Sequence, residues 1–175
     1  MSRHLDKEAR HTIYTSFILS NFNHCPVVWH FCGVVNSRKL EGIQKRALRF
    51  VYNDYLSSYE DLLQNANMNT LYLSCLRYIA IEAYKVIYML GPSYLSDLLE
   101  EKSHDHNIRS ERNASQPKVN TISYGINSFR YKGAKIWNSL PNNLKNSASL
   151  DEFKKLVKTW YGPKCNCQMC TRLLS

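Results

Sequence analysis

Ser37-Arg-Lys-Leu-Glu-Gly-Ile-Gln-Lys-Arg-Ala-Leu-Arg-Phe-Val-Tyr-Asn53 carries two chemically opposed faces at helical spacing. At about 100° per residue, Leu40, Ile43, Ala47 and Val51 fall on one side, and Arg38, Lys45, Arg46 and Arg49 on the other. The spacing predicts a helix over roughly 37–53 that seeks a core with one side and offers a row of cations with the other. Asn36 is the expected N-cap. Gly42 falls in the middle of the basic side, where it costs a helix about 1 kcal/mol relative to alanine.

Working outward toward the N-terminus, Leu5, Ala9, Ile13 and Phe17 share a face, which predicts a helix over 5–21. Pro26 blocks a simple continuation, so Phe22-Asn-His-Cys-Pro26 reads as a break into a second helical piece carrying Val27, Val28, Trp29 and Phe31, closed by Gly33. Toward the C-terminus, Ser57-Ser-Tyr-Glu60 has the pattern of a capping box and predicts a short helix over 58–65. Asn69 or Thr70 then caps a longer helix to Leu90, apolar nearly all round and therefore buried, which Gly91-Pro92 ends. A further short helix is expected over 93–101.

From Lys102 to about Tyr124 the periodicity vanishes and polar residues dominate, which predicts a connector in which a short strand could form near 118–123. Helical spacing resumes from Gly125 to Ser139, Pro141 begins a turn, and Ser149-Leu-Asp-Glu152 is a second capping box. That box opens a helix to Tyr161 with Phe153, Leu156, Val157 and Trp160 inward and Lys154, Lys155 and Lys158 outward. The expected fold is thus mainly α: a helical bundle over 1–55, a central helical region over 56–101, a polar connector over 102–124, and C-terminal helices with a cysteine tail over 125–175.

The formal charge of +9 on 175 residues favours a polyanionic partner. It is unevenly placed. Residues 1–60 hold eight Lys/Arg against five Asp/Glu, residues 61–116 five against seven, and residues 117–175 ten against two. The basic character sits at the two ends. The N-terminus has charges where a secretory signal needs an apolar stretch, and the longest apolar segment, Tyr78–Leu90, is interrupted by Glu82 and Lys85 and is too short to span a bilayer. The expectation is an intracellular chain, in nucleus or cytoplasm, neither secreted nor membrane-inserted, whose six cysteines are reduced thiols or metal ligands.

Constellations for catalysis are lacking in the sequence. Two-metal polymerases and nucleases need closely placed carboxylates, and no Asp-Asp or Asp-x-Asp occurs. Tyr52-Asn-Asp-Tyr55 resembles a polymerase turn only superficially, and neither a glycine-rich phosphate loop nor a Gly-x-Ser-x-Gly elbow is present. His24-Cys25 and His30-x-Cys32 alternate with apolar residues and read as core packing. Cys165, Cys167 and Cys170 are the strongest metal candidates: three thiols within six residues suit Zn²⁺, with a fourth ligand to come from Cys75, a remote histidine, a partner or further sequence.

Leu5-Asp-Lys, Tyr14-x-Ser-Phe-Ile-Leu-Ser-Asn-Phe-Asn-His-Cys-Pro-Val-Val-Trp-His-Phe-Cys-Gly33 and Lys39-Leu-Glu-Gly-Ile-Gln-Lys-Arg-Ala-Leu-Arg-Phe-Val-Tyr52 resemble the thumb that follows the palm in reverse transcriptases of non-LTR (LINE-type, jockey-like) retrotransposons. Tyr124-Gly-x-Asn-Ser-Phe-x-Tyr-x-Gly-Ala-Lys-x-Trp-Asn-Ser-Leu-Pro141, the Phe153-Lys-x-Leu-x-x-x-Trp160 helix and the terminal cysteines are similar to that family's C-terminal region. The resemblance implies RNA-directed DNA synthesis for the parent enzyme, with the palm, the metal-binding aspartates and an endonuclease upstream of Met1. This chain would then be a C-terminal fragment that is no enzyme on its own and requires no cofactor. It would hold RNA or an RNA–DNA hybrid through Arg38, Lys45, Arg46 and Arg49, and through Lys154, Lys155 and Lys158, by phosphate contacts without sequence information. The alternatives are a stand-alone zinc-dependent nucleic-acid adaptor and a non-functional helical remnant.

Overall fold

The structure, a computed structural model, describes residues 5–101 and 112–163, and over them the chain is mainly helical. Its contacts divide it into two units, which meet in sequence inside one helix: the first runs to Ser74 and the second begins at Cys75. No helix of the described residues is long and apolar enough to cross a membrane.

The first unit begins with α1 (Lys7–Ile13), capped by the Asp6 side chain, which accepts from the Ala9 amide at 2.7 Å. The chain continues without a break through a π-helical turn, Tyr14–Leu19, into α2 (Ser20–Asn23). Cys25 then adopts a left-handed conformation (φ 44°, ψ 51°), and Pro26 opens α3 (Pro26–Trp29). α4 spans Val34–Tyr52. It starts three residues before the expected point, with Gly33 rather than Asn36 as its N-cap, and ends where Asn53 turns left-handed.

α5 (Tyr59–Asn65) has a reciprocal capping box, but one residue later than the sequence pattern suggests: Ser58 and Asp61 form it, not Ser57 and Glu60. Ser57 is engaged by Asp54 instead. The core of this unit is Tyr14, Ala47, Leu48, Val51, Leu62 and Leu63, with Ile18, Leu19, Tyr52, Tyr59 and Met68 packed around it.

α6 (Leu71–Ile87) leads into the second unit. Its buried residues there, Cys75, Leu76, Ile79, Ala80, Ala83, Tyr84 and Val86, occupy more than one side of the helix, as an all-round apolar sequence requires. Met89 in a positive-φ conformation ends it, and the expected helix over 93–101 is a shorter 3₁₀ segment, Ser93–Leu98.

The strand considered near 118–123 does not form: residues 117–121 are irregular and Ile122–Ile126 is a π turn. The β-type pairing among the described residues is a single antiparallel bridge, Glu101 with Ala114. After it come α7 (Phe129–Ser139), α8 (Asn142–Lys145) and α9 (Leu150–Val157), the last capped by Ser149 and shorter than the expected 150–161.

Aromatic rings organise this second core. Tyr84 stacks on Phe153 with centroids 4.5 Å apart and lies 6.4 Å from Trp137, which is fully buried. The Trp137-Asn-Ser-Leu-Pro141 signature is consumed internally. Trp137 Nε1 donates to the Arg112 carbonyl at 2.7 Å. The Asn138 side chain pairs with both backbone groups of Ala114, accepting at 2.8 Å and donating at 2.9 Å. Lys145 is buried with its ammonium on Asn113 Oδ1 and the Asn138 carbonyl, at 3.0 and 3.2 Å.

Candidate nucleic-acid interface

α4 is placed by polar as well as apolar contacts. Its buried residues are Gln44, Ala47, Leu48 and Val51. Gln44 is 1% exposed while Ile43 is 37% exposed, so the inward face is turned from the one the apolar pattern alone predicts. The cause is a hydrogen-bond network. The Tyr59 hydroxyl donates to Glu41 Oε2 at 2.6 Å and lies 2.6 Å from the Gln44 side-chain amide, which also reaches toward the Asn69 carbonyl at 3.5 Å. Glu41 in turn accepts from the Leu71 and Tyr72 amides, at 3.2 and 2.8 Å. A carboxylate on α4 therefore satisfies two of the free donors at the start of α6 and sits where the helix dipole favours a negative charge.

Burial, followed by the nearby Glu41 charge, pushes the Tyr59 phenol well above its ordinary range, so this group keeps its proton. Burial raises Tyr14 as well, with Gln44 acting in the opposite direction.

With Glu41 and Gln44 held inward, the opposite side of α4 presents Arg38 and Arg46 exposed and Lys45 and Arg49 half-buried. The ion pairs of the described residues are Lys85 with Glu82, Arg130 with Glu100, and Lys154 with Asp151, so none involves these four cations. The Arg49 charge does reach Asp54, whose carboxyl is held below the usual range first by hydrogen bonds from Ser57 and Leu56 and least by Arg49. Arg49 Nε is shielded and has no hydrogen-bond partner among the described residues, an arrangement that costs free energy in the free protein.

Two further cations lie near this helix's C-terminal end and carry no signal in the sequence pattern. Arg10 donates from Nη1 to the Phe50 carbonyl at 3.1 Å, and the Lys7 ammonium sits 4.7 Å from the centre of the Tyr52 ring. Both come from α1, and only its packing on α4 brings them there.

The other sequence candidates are differently placed. Lys154, Lys155 and Lys158 are exposed in the second unit, on and just after α9, and Lys154 pairs with Asp151 at 3.2 Å. His24, Cys25, His30 and Cys32 do not form a shared core cluster. His24 and Cys25 are exposed, with Nε2 and Sγ 3.5 Å apart, whereas His30 packs on Tyr72 with ring centroids 5.3 Å apart and Cys32 lies 3.6 Å from the Ser37 hydroxyl. No group of three or more His, Cys, Asp or Glu side chains suited to a metal occurs among the described residues, and Cys75 is buried at 3% exposure. Cys165, Cys167 and Cys170 lie outside the described residues. No protein family, no curated protein and no solved structure matches the chain.

Proposed function

We propose that the chain grips nucleic acid without regard to sequence through the basic face of α4, as the template–primer-holding part of a reverse transcriptase whose chemistry is carried out elsewhere. The single observation that carries the proposal is the disposition of α4. Its acid and its amide are turned inward and fully engaged, and Arg38, Lys45, Arg46 and Arg49 are left outward with no ion pair among the described residues. Four cations over about 16 Å of helix match a polyanion and supply no base-reading amide. Lys and Arg on phosphates give affinity and register, and the affinity comes from counterion release.

The test is binding of the purified chain to a mixed-sequence RNA–DNA hybrid across a salt series. A steep linear fall of log K with log salt is expected, and Lys45→Glu with Arg49→Glu should weaken binding on every sequence alike. Salt-insensitive binding, or loss confined to some sequences, would overturn the proposal.

A further inference from the structure

Gly33, Gly42 and Gly91 each leave room for a Cβ, and of these three Gly42 alone lies inside a helix; the other glycines of the described residues do not leave that room freely. A Cβ at Gly125 would lie 2.8 Å from Val119 Cβ, one at Gly133 would meet the Phe129 ring at 3.2 Å, and Gly162 has a φ of +91°. Each has an internal reason to lack a side chain. Gly42 has none: it lies mid-helix in α4, without the positive φ that favours glycine, and a Cβ there would find no heavy atom of the described residues within 4 Å. Alanine would make a more stable helix at this position. The missing side chain therefore serves nothing inside the described fold.

Its surroundings point to what it serves outside. Arg38 is four residues before Gly42, Lys45 three after, Arg46 four after and Arg49 seven after, so all five lie within about 100° of arc on one side of α4. The helix backbone is bare at the centre of a ring of cations. A partner helix of protein seated there would have to bury several unpaired charges. A sugar–phosphate strand would find its phosphates met from both sides while its ridge lay directly on the backbone.

We propose that Gly42 is a contact residue of the α4 face, the point at which a nucleic-acid backbone seats against the bare helix between Arg38, Lys45, Arg46 and Arg49. The inference rests on the nucleic-acid reading above and adds to it a steric requirement that charge alone does not impose. It predicts that one substitution moves stability and binding in opposite directions.

The experiment compares wild type, Gly42→Ala and Lys45→Glu/Arg49→Glu in thermal unfolding and in binding to the mixed-sequence RNA–DNA hybrid. Gly42→Ala should raise the melting temperature by about 2–4 °C. It should also lower affinity about tenfold, because the added methyl holds the strand off the helix, with the salt slope unchanged because no cation has been removed. Unchanged or tighter binding of Gly42→Ala, alongside loss in the charge-reversed variant, would overturn the role of Gly42 while leaving the basic face standing. Absence of hybrid binding in wild type, or binding that survives charge reversal, would overturn both. Binding only to phosphatidylserine vesicles would also overturn the proposal.

Discussion

The two signatures that stand out in the sequence are spent in opposite ways. In Trp137-Asn-Ser-Leu-Pro141, the ring nitrogen of Trp137 and the amide of Asn138 hold the backbone of residues 112–114, and Leu140 is buried. Its polar chemistry holds the second unit together. Leu40-Glu-Gly-Ile-Gln-Lys-Arg-Ala-Leu-Arg49 is divided instead: Glu41 and Gln44 are tied inward to Tyr59 and the start of α6, while Lys45 and Arg46 turn outward. An arresting motif is thus no guide to function until its hydrogen bonds have been followed. Only polar groups left over after the interior is satisfied are available to a partner.

That contrast can be broken most directly at Trp137. Trp137→Ala should cost about 3–5 kcal/mol, measured by denaturant unfolding, because it removes a fully buried ring and orphans the Arg112 carbonyl. A cost below about 1 kcal/mol would mean that this signature is not interior scaffolding. In α4 the corresponding test acts on binding. Lys45→Glu with Arg49→Glu should lower the slope of log K against log salt by about 2, one per phosphate contact removed.

Glu41→Ala probes the inward half of the same motif. It leaves the Leu71 and Tyr72 amides without their acceptor, while the Tyr59 hydroxyl keeps the Gln44 oxygen, and should cost about 1–2 kcal/mol in unfolding measurements.

The alkaline behaviour of Tyr59 sharpens the point. Its folded-state pKa is raised, so the unfolded chain releases this proton first, at about pH 10. Stability from this group is therefore fully present below about pH 10 and falls as pH rises above it. Tyr59→Phe should flatten that alkaline fall in a series of unfolding curves, and an unaltered fall would assign it elsewhere.

The smallest effect is expected at α9. Lys155→Glu with Lys158→Glu should weaken hybrid binding only about two- to threefold at low salt, through the long-range field. A loss as large as that from the α4 reversal would make the two basic faces equivalent.

How much of this was legible in the sequence varies by element. Ser149 as the cap of the last helix follows from local chemistry, because a side chain three residues from the donor it serves needs no tertiary information. The Ser57/Glu60 pattern places the box one residue early, since Ser57 and Ser58 are equivalent as caps until Asp54 claims Ser57. The phase of α4 differs in part from the one its apolar spacing predicts. Ile43 is the more apolar residue, yet Gln44 is buried, because Tyr59 and the Asn69 carbonyl give its amide partners that a pattern of apolar spacing does not represent.

Helix after helix, the existence of the cationic row on α4 and the lack of a paired-carboxylate motif are properties of the sequence itself, since periodicity and composition act over a few neighbouring residues. Tertiary structure alone decided which polar residues are used up within the fold. Glu41 meets the Leu71 and Tyr72 amides some thirty positions away, and Arg10 meets the Phe50 carbonyl forty positions away. Such bonds form between segments that only the folded chain brings within reach. They determine that Glu41 and Gln44 belong to the interior and that Gly42, with the cations around it, is left to the surface.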